Sequence, residues 1–185
     1  MSITKEKILK NLEKFKQTGI KYGVVNEELL DMLGDGFMNA PCSTSDKFYN
    51  AYDGGLISHI LETTKQAVLI NEGLPENKQV PLENLIRVSL LSQIGKANMF
   101  ITQDNEWFIK NRGEYFKFND ERLTFKTGEA SVFYTLSSGI KLSEAEVFAI
   151  YNSDIDFTHR DLKTLGEKLA SIIKIASLIA IYNQK

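Results

Sequence analysis

Cysteine is nearly missing from this chain. Cys42 is the only one, so no internal disulfide and no multi-cysteine zinc site can form. Proline is scarce too, with three residues in 185, and no Pro/Gly-rich linker, low-complexity tract or internal repeat divides the sequence. One domain over residues 1–185 is expected, long enough to bury a sizeable core. A long apolar run is also lacking. The best candidate, Leu169 to Tyr182, is interrupted by Ser171, Lys174 and Ser177, and falls short of the roughly 18–20 residues that a membrane span requires. The N-terminus is charged and has no apolar segment of the signal-peptide kind. A soluble, cytoplasmic protein without membrane association is therefore expected. Neither charge dominates: 22 Lys+Arg against 24 Asp+Glu leave a net charge of −2, which gives no global electrostatic footprint for nucleic acid.

Hydrophobic content of 43% and charged content of 25% are ordinary globular values, and most of the apolar residues recur at helical spacing. Ile8, Leu12 and Phe15 predict an amphipathic helix over residues 2–17. Its lysines (Lys5, Lys7, Lys10, Lys14, Lys16) cluster, as a solvated helix face or, alternatively, as a contact for an anionic partner. A short helix is predicted from the cap residue Asn26 to Gly34. Gly36 to Asp53 reads as an ordered loop. Gly54-Gly55 then opens a third helix with Leu56, His59, Ile60, Thr63, Ala67 and Ile70 on its inner face. A fourth helix starts at Pro81, carries Leu82, Leu85, Ile86, Ser89 and Gln93 on one stripe, and ends at Gly95. Glu106 to Phe118 alternates around Asn111-Arg112-Gly113 and predicts a small β-hairpin. A fifth helix over Gly128 to Ser138 is read from Ala130, Val132, Phe133 and Leu136. A sixth opens on a Ser143/Glu146 capping box. The longest, Asp161 to Tyr182, buries Leu162, Leu165, Leu169, Ile172, Ile173, Ala176 and Ala180. The predicted class is mostly α with one small hairpin.

Two stretches carry more specific information. Residues 37–59 include Ala40-Pro41-Cys42-Ser43-Thr44, then Ala51-Tyr52-Asp53-Gly54-Gly55-Leu56 and His59. Residues 89–97 include Leu91-Ser92-Gln93-Ile94-Gly95-Lys96. In this order they resemble the front half of an HD-domain phosphohydrolase, in particular the small HD proteins of phages and low-GC bacteria. Those show A-P-A-S-T, G-A-Y-E-G-G-L-x-E-H and then L-H-D-I-G-K. The resemblance implies an HD-like helical bundle, with N-terminal helices over 1–35 and an HD-like core over 36–182. In that family a His, a His-Asp pair from the next helix and a late Asp bind one or two divalent cations. The metal lowers the pKa of a bound water and polarises the scissile phosphate.

Of that ligand set, only His59 stands here. The His-Asp pair is Ser92-Gln93, and the His that precedes G-E-x-S-V is Thr127. The His of A-I-x-x-H falls at Ser153, beside Asn152, and the Asp of A-D-x-x-A is Ser177. One imidazole does not hold a catalytic divalent cation, since affinity comes from several convergent ligands. The resemblance thus implies a degenerate member with no catalytic residue, no metal and no cofactor. What is left is a remnant pocket of His59, Ser92, Gln93, Lys96, Thr127, Asn152, Ser153 and Ser177.

The plainer reading of His59 is a core imidazole hydrogen-bonded to Gln93, Ser92 or Ser177. Gly54-Gly55 is adequately read as a helix-start turn, with phosphate-facing amides as the functional alternative. Lys96 is read either as a substrate-phosphate contact or as a charge at a helix C-terminus. Trp107 and Tyr115 are read as core packing or as a partner surface. His159 is assigned to a loop, and nothing in the spacing of Asp53, Asp154, Asp156 or Glu129 argues for a rebuilt site.

Three functions remain open. The first is a non-catalytic binding, regulatory or structural module with a protein partner or a nucleotide. The second is an active metal-dependent phosphohydrolase on nucleotides or nucleic-acid ends, which alone would need a divalent cation. The third is a metal-free nucleotide or phosphate binder using Lys96, Gln93 and Asn152.

Overall fold

The computed structural model describes residues 3–122, 125–154 and 162–183. Among them are eight α-helices and one two-stranded antiparallel sheet, a mostly α fold with one small strand pair. None of these helices is long and apolar enough to cross a membrane.

The N-terminal part is built by strong local signals. Helix α1 (Lys5–Lys21) starts where the Thr4 hydroxyl accepts from the Lys7 amide, and it buries Ile8, Phe15 and Gly19. Gly19 has no Cβ because Val25 packs there: an added carbon would sit 2.2 Å from Val25 Cγ2. Helix α2 (Glu27–Leu33) begins at Asn26, whose side chain accepts from the Leu29 amide, and stops at Gly34. The sequence-predicted start and stop of α2 both hold.

Helix α3 (Gly55–Gly73) turns His59, Ile60, Thr63 and Ala67 inward, with Ile70 only partly buried. It packs on α8 (Leu165–Tyr182) and on α4 (Leu82–Leu91), and α7 (Glu144–Tyr151) packs on α8 and α4. The interior of this bundle is filled by Leu56, Ile60, Leu90, Leu91, Ile150, Leu169 and Ile173, all essentially inaccessible. Helix α7 opens on the expected capping box: the Ser143 hydroxyl accepts from the Glu146 amide, and the Glu146 carboxylate accepts from the Ser143 amide.

Several expectations are corrected. The fourth helix ends at Leu91, and Ile94–Lys96 forms a separate 3-10 turn. That turn docks on α6 (Thr127–Ser137): the Gly95 amide donates to Ser131 Oγ at 2.8 Å, and a Cβ at Gly95 would lie 2.1 Å from the Thr127 carbonyl oxygen. Leu82 is exposed, since it occupies the first turn and faces solvent. In α6 the buried face is Ala130, Ser131 and Thr135, whereas Phe133 and Leu136 are exposed. Helix α8 starts at Leu165, where Thr164 and Glu167 form a second capping box; Leu162 precedes it, and Asp161 lies outside the described residues.

The strand pair is also relocated. Strand β1 is Phe100–Thr102 and β2 is Phe116–Phe118, paired Phe100 to Phe118. The predicted first strand is instead helix α5 (Glu106–Arg112). Asn105 caps it by accepting from the Trp107 amide at 3.0 Å, Lys110 bridges to Glu106 at 2.6 Å, and Gly113 ends it in the left-handed region at φ 64. These start and stop signals outweigh a short alternating pattern. Trp107 and Tyr115 are exposed, so neither packs in the core.

Candidate functional site

The His59 neighbourhood is assembled from two helices, one ordered loop and one 3-10 turn. Helices α3 and α8 bring His59 Nε2 to 3.1 Å from Ser177 Oγ, and Thr63, one turn further along α3, lies 3.5 Å away. The loop before α3 supplies Cys42 and Tyr49. It is fastened by backbone bonds from Cys42 N to the Asn50 carbonyl and from Leu56 N to the Ala40 carbonyl, both 2.9 Å. The Asn50 side chain donates to the Gly55 carbonyl at 3.0 Å, and Gly55 leaves room for the Asn50 carbonyl, which a Cβ would meet at 2.1 Å. Gly54, at φ 78, packs over Ile8. The glycine pair therefore serves as the helix-start turn.

The Tyr49 ring lies 4.8 Å from the His59 ring, tilted by 44°. Its hydroxyl accepts from Lys96 Nζ at 3.0 Å, and the same ammonium approaches Cys42 Sγ at 3.9 Å. Lys96 comes from the 3-10 turn after α4, so it reaches inward rather than simply closing a helix.

The electrostatics follow from this enclosure. Burial, with the Lys96 charge adding to it, lowers the His59 pKa to about 3, so the imidazole is neutral at physiological pH. Burial pushes the Cys42 thiol up, against the opposing pull of Lys96. Burial also raises the Tyr49 phenol. For Lys96 itself burial disfavours the charge, yet Cys42, Tyr49 and Asp154 outweigh it and hold its pKa above the usual lysine range. The result is an enclosed ammonium beside a neutral imidazole. His59 Nδ1 and Ser153 Oγ are buried and have no hydrogen-bond partner among the described residues.

The structure brings together only part of the set picked out in the sequence. His59 and Ser177 meet directly, and Lys96 joins them through Tyr49. Ser92 and Gln93 are buried, but among the described residues no hydrogen bond links either side chain to His59; Ser92 Oγ turns to the Ser89 carbonyl. Thr127 is the first residue of α6 and packs behind Gly95. The Asn152 side chain donates to the Phe148 carbonyl at 2.8 Å, at the end of its own helix. Asp154 lies close enough for its charge to be felt at Cys42, Tyr49 and Lys96. Asp53 is exposed, and Glu129 is used in capping α6 by accepting from the Lys126 amide. Asp156 and His159 lie outside the described residues.

Tyr49 and Cys42 are the residues that sequence reasoning missed as part of this site. Their signal was their place in the ordered loop leading to His59. Among the described residues no three His, Cys, Asp or Glu side chains converge as a metal site would need. Comparison with protein-family models, curated proteins and solved structures finds no match. The likeness to the HD family therefore rests on the motif residues quoted above.

Proposed function

We propose that this chain is a non-catalytic binding or regulatory module built on an HD-like helical bundle, working without divalent-cation chemistry. The observation that carries the reading is the His59–Ser177 contact. The side chain in the late-aspartate position hydrogen-bonds the imidazole at 3.1 Å and brings no negative charge, and one imidazole without convergent carboxylates holds no catalytic divalent cation. Lys96, which donates to Tyr49 at 3.0 Å, adds a positive charge that suits an anionic ligand. The ligand class compatible with such a module is a nucleotide or a protein partner.

The test is calorimetric titration of Mn²⁺ and Mg²⁺ into the purified chain, with hydrolysis of nucleotides and nucleic-acid ends followed in parallel. Neither cation uptake nor turnover is expected. Metal-dependent hydrolysis that is lost in His59→Ala overturns the reading and restores an active phosphohydrolase.

A further inference from the structure

The lysines of α1 form either a solvated face or a contact for an anionic partner, and their surroundings distinguish the two. Lys7, Lys10 and Lys14 line a groove of about 450 Å³ between α1 and α3, and Lys65 of α3 closes its other side. That volume is in the range of small-ligand sites. Among the described residues that line it, Glu62 is the one carboxylate. It is engaged already, accepting from Gln66 Nε2 at 2.7 Å and facing Lys65 at 3.7 Å. Lys7, Lys10 and Lys14 have no ion-pair partner among the described residues.

Lys7, Lys10 and Lys14 follow one another at three and four residues and therefore share one face of α1, the face that lines the groove. The wall between the lysines offers neutral polar groups: Asn11 Nδ2 donates to Ser58 Oγ at 2.9 Å, and Tyr52 lines the groove beside them. From Lys7 to Lys14 the helix advances roughly 10 Å. One inorganic phosphate does not span that distance, whereas a run of phosphates does.

We infer that this groove binds a chain of linked phosphates, either a free oligophosphate such as a nucleoside triphosphate or the backbone of a single-stranded nucleic acid. It shares no residue with the His59 neighbourhood and involves no metal, so it stands or falls separately from the non-catalytic reading.

Fluorescence anisotropy of a labelled single-stranded oligonucleotide tests it, together with direct calorimetric titration of tripolyphosphate, a nucleoside triphosphate and orthophosphate. The oligonucleotide or tripolyphosphate is expected to bind at low salt, with orthophosphate at least tenfold weaker than tripolyphosphate. The double substitution Lys10→Glu/Lys14→Glu should weaken binding tenfold or more, while Lys110→Glu, on exposed α5, leaves it within twofold. If the oligonucleotide is the ligand, Lys14→Gln also flattens the dependence of log affinity on log salt by about 0.7. If tripolyphosphate binds and the oligonucleotide does not, the source is a free oligophosphate. Absence of binding by every probe at millimolar concentration, or equal weakening by Lys110→Glu, overturns the inference.

Discussion

Arg87 and Lys96 are two cations carried inward by the same segment, α4 and the turn after it, and the chain treats them differently. Arg87 is fully answered. It pairs with the buried carboxylate of Glu146 and donates to the carbonyls of Tyr22 at 2.8 Å and Lys141 at 2.7 Å. Glu146 in turn accepts from the Ser143 amide and hydroxyl. Although burial works against its charge, these bonds keep its pKa below the usual carboxylate value. Lys96 donates to the Tyr49 hydroxyl, lies over the same Tyr49 ring and approaches the Cys42 thiol. A cation answered by a carboxylate and carbonyls ties helices together. One whose hydrogen-bond partners are a phenol and a thiol, with the Asp154 charge felt beyond them, sets the electrostatics of a site.

The contrast can be broken most forcefully at Glu146. Glu146→Ala leaves the partly buried Arg87 guanidinium without its carboxylate and takes the acceptor of the Ser143 amide from the α7 capping box, which together should cost roughly 3–5 kcal/mol, read as a fall in the urea midpoint. A loss below about 1 kcal/mol would mean that the pair is no structural tie.

The second test concerns acid. His59 is neutral in the folded chain down to a pKa of about 3, whereas in the unfolded chain it gains a proton near pH 6.5. Within that window the unfolded state binds more protons, so stability is complete above it and falls as pH drops through it. The expected loss between pH 7 and pH 4 is roughly 3 kcal/mol, and it should be missing in His59→Gln. An unchanged acid slope in that variant would assign the effect elsewhere.

The smallest effect is expected at Lys96. Replacing this ammonium with methionine of similar length removes its hydrogen bond to Tyr49 and the charge interactions that hold its pKa up, a loss expected at roughly 1–2 kcal/mol. It should also raise the His59 pKa, because one of the two causes of its depression is removed. If Lys96→Met destabilises the chain as strongly as Glu146→Ala, the two cations play the same structural part and the contrast is lost.

Much of the helical framework was legible because its signals are local. Asn26, Ser143 and Gly34 act within one turn of themselves, through backbone amides that have no other partner. The same kind of signal was present at Asn105 and Gly113 but was outweighed in the reading by the alternation of Trp107 and Ile109, which produced a strand where α5 lies. Phe133 and Leu136 misled differently: helical spacing marks an apolar stripe, and the packing of α6 on the Ile94–Lys96 turn buries the small residues beside it instead.

The site was legible only at its anchor. The position of His59 on the inner face of α3 follows from the spacing of its apolar neighbours. The partners of that imidazole do not. Ser177 is 118 residues away, Lys96 and Tyr49 are 47 apart, and Arg87 and Glu146 are 59 apart. Periodicity and caps act over one or two helical turns, so the chain alone carries its helices and its caps. Which buried charge receives a carboxylate and which a phenol depends on how distant helices close on one another. That choice belongs to the packed fold, because pairing across such separations has no local trace.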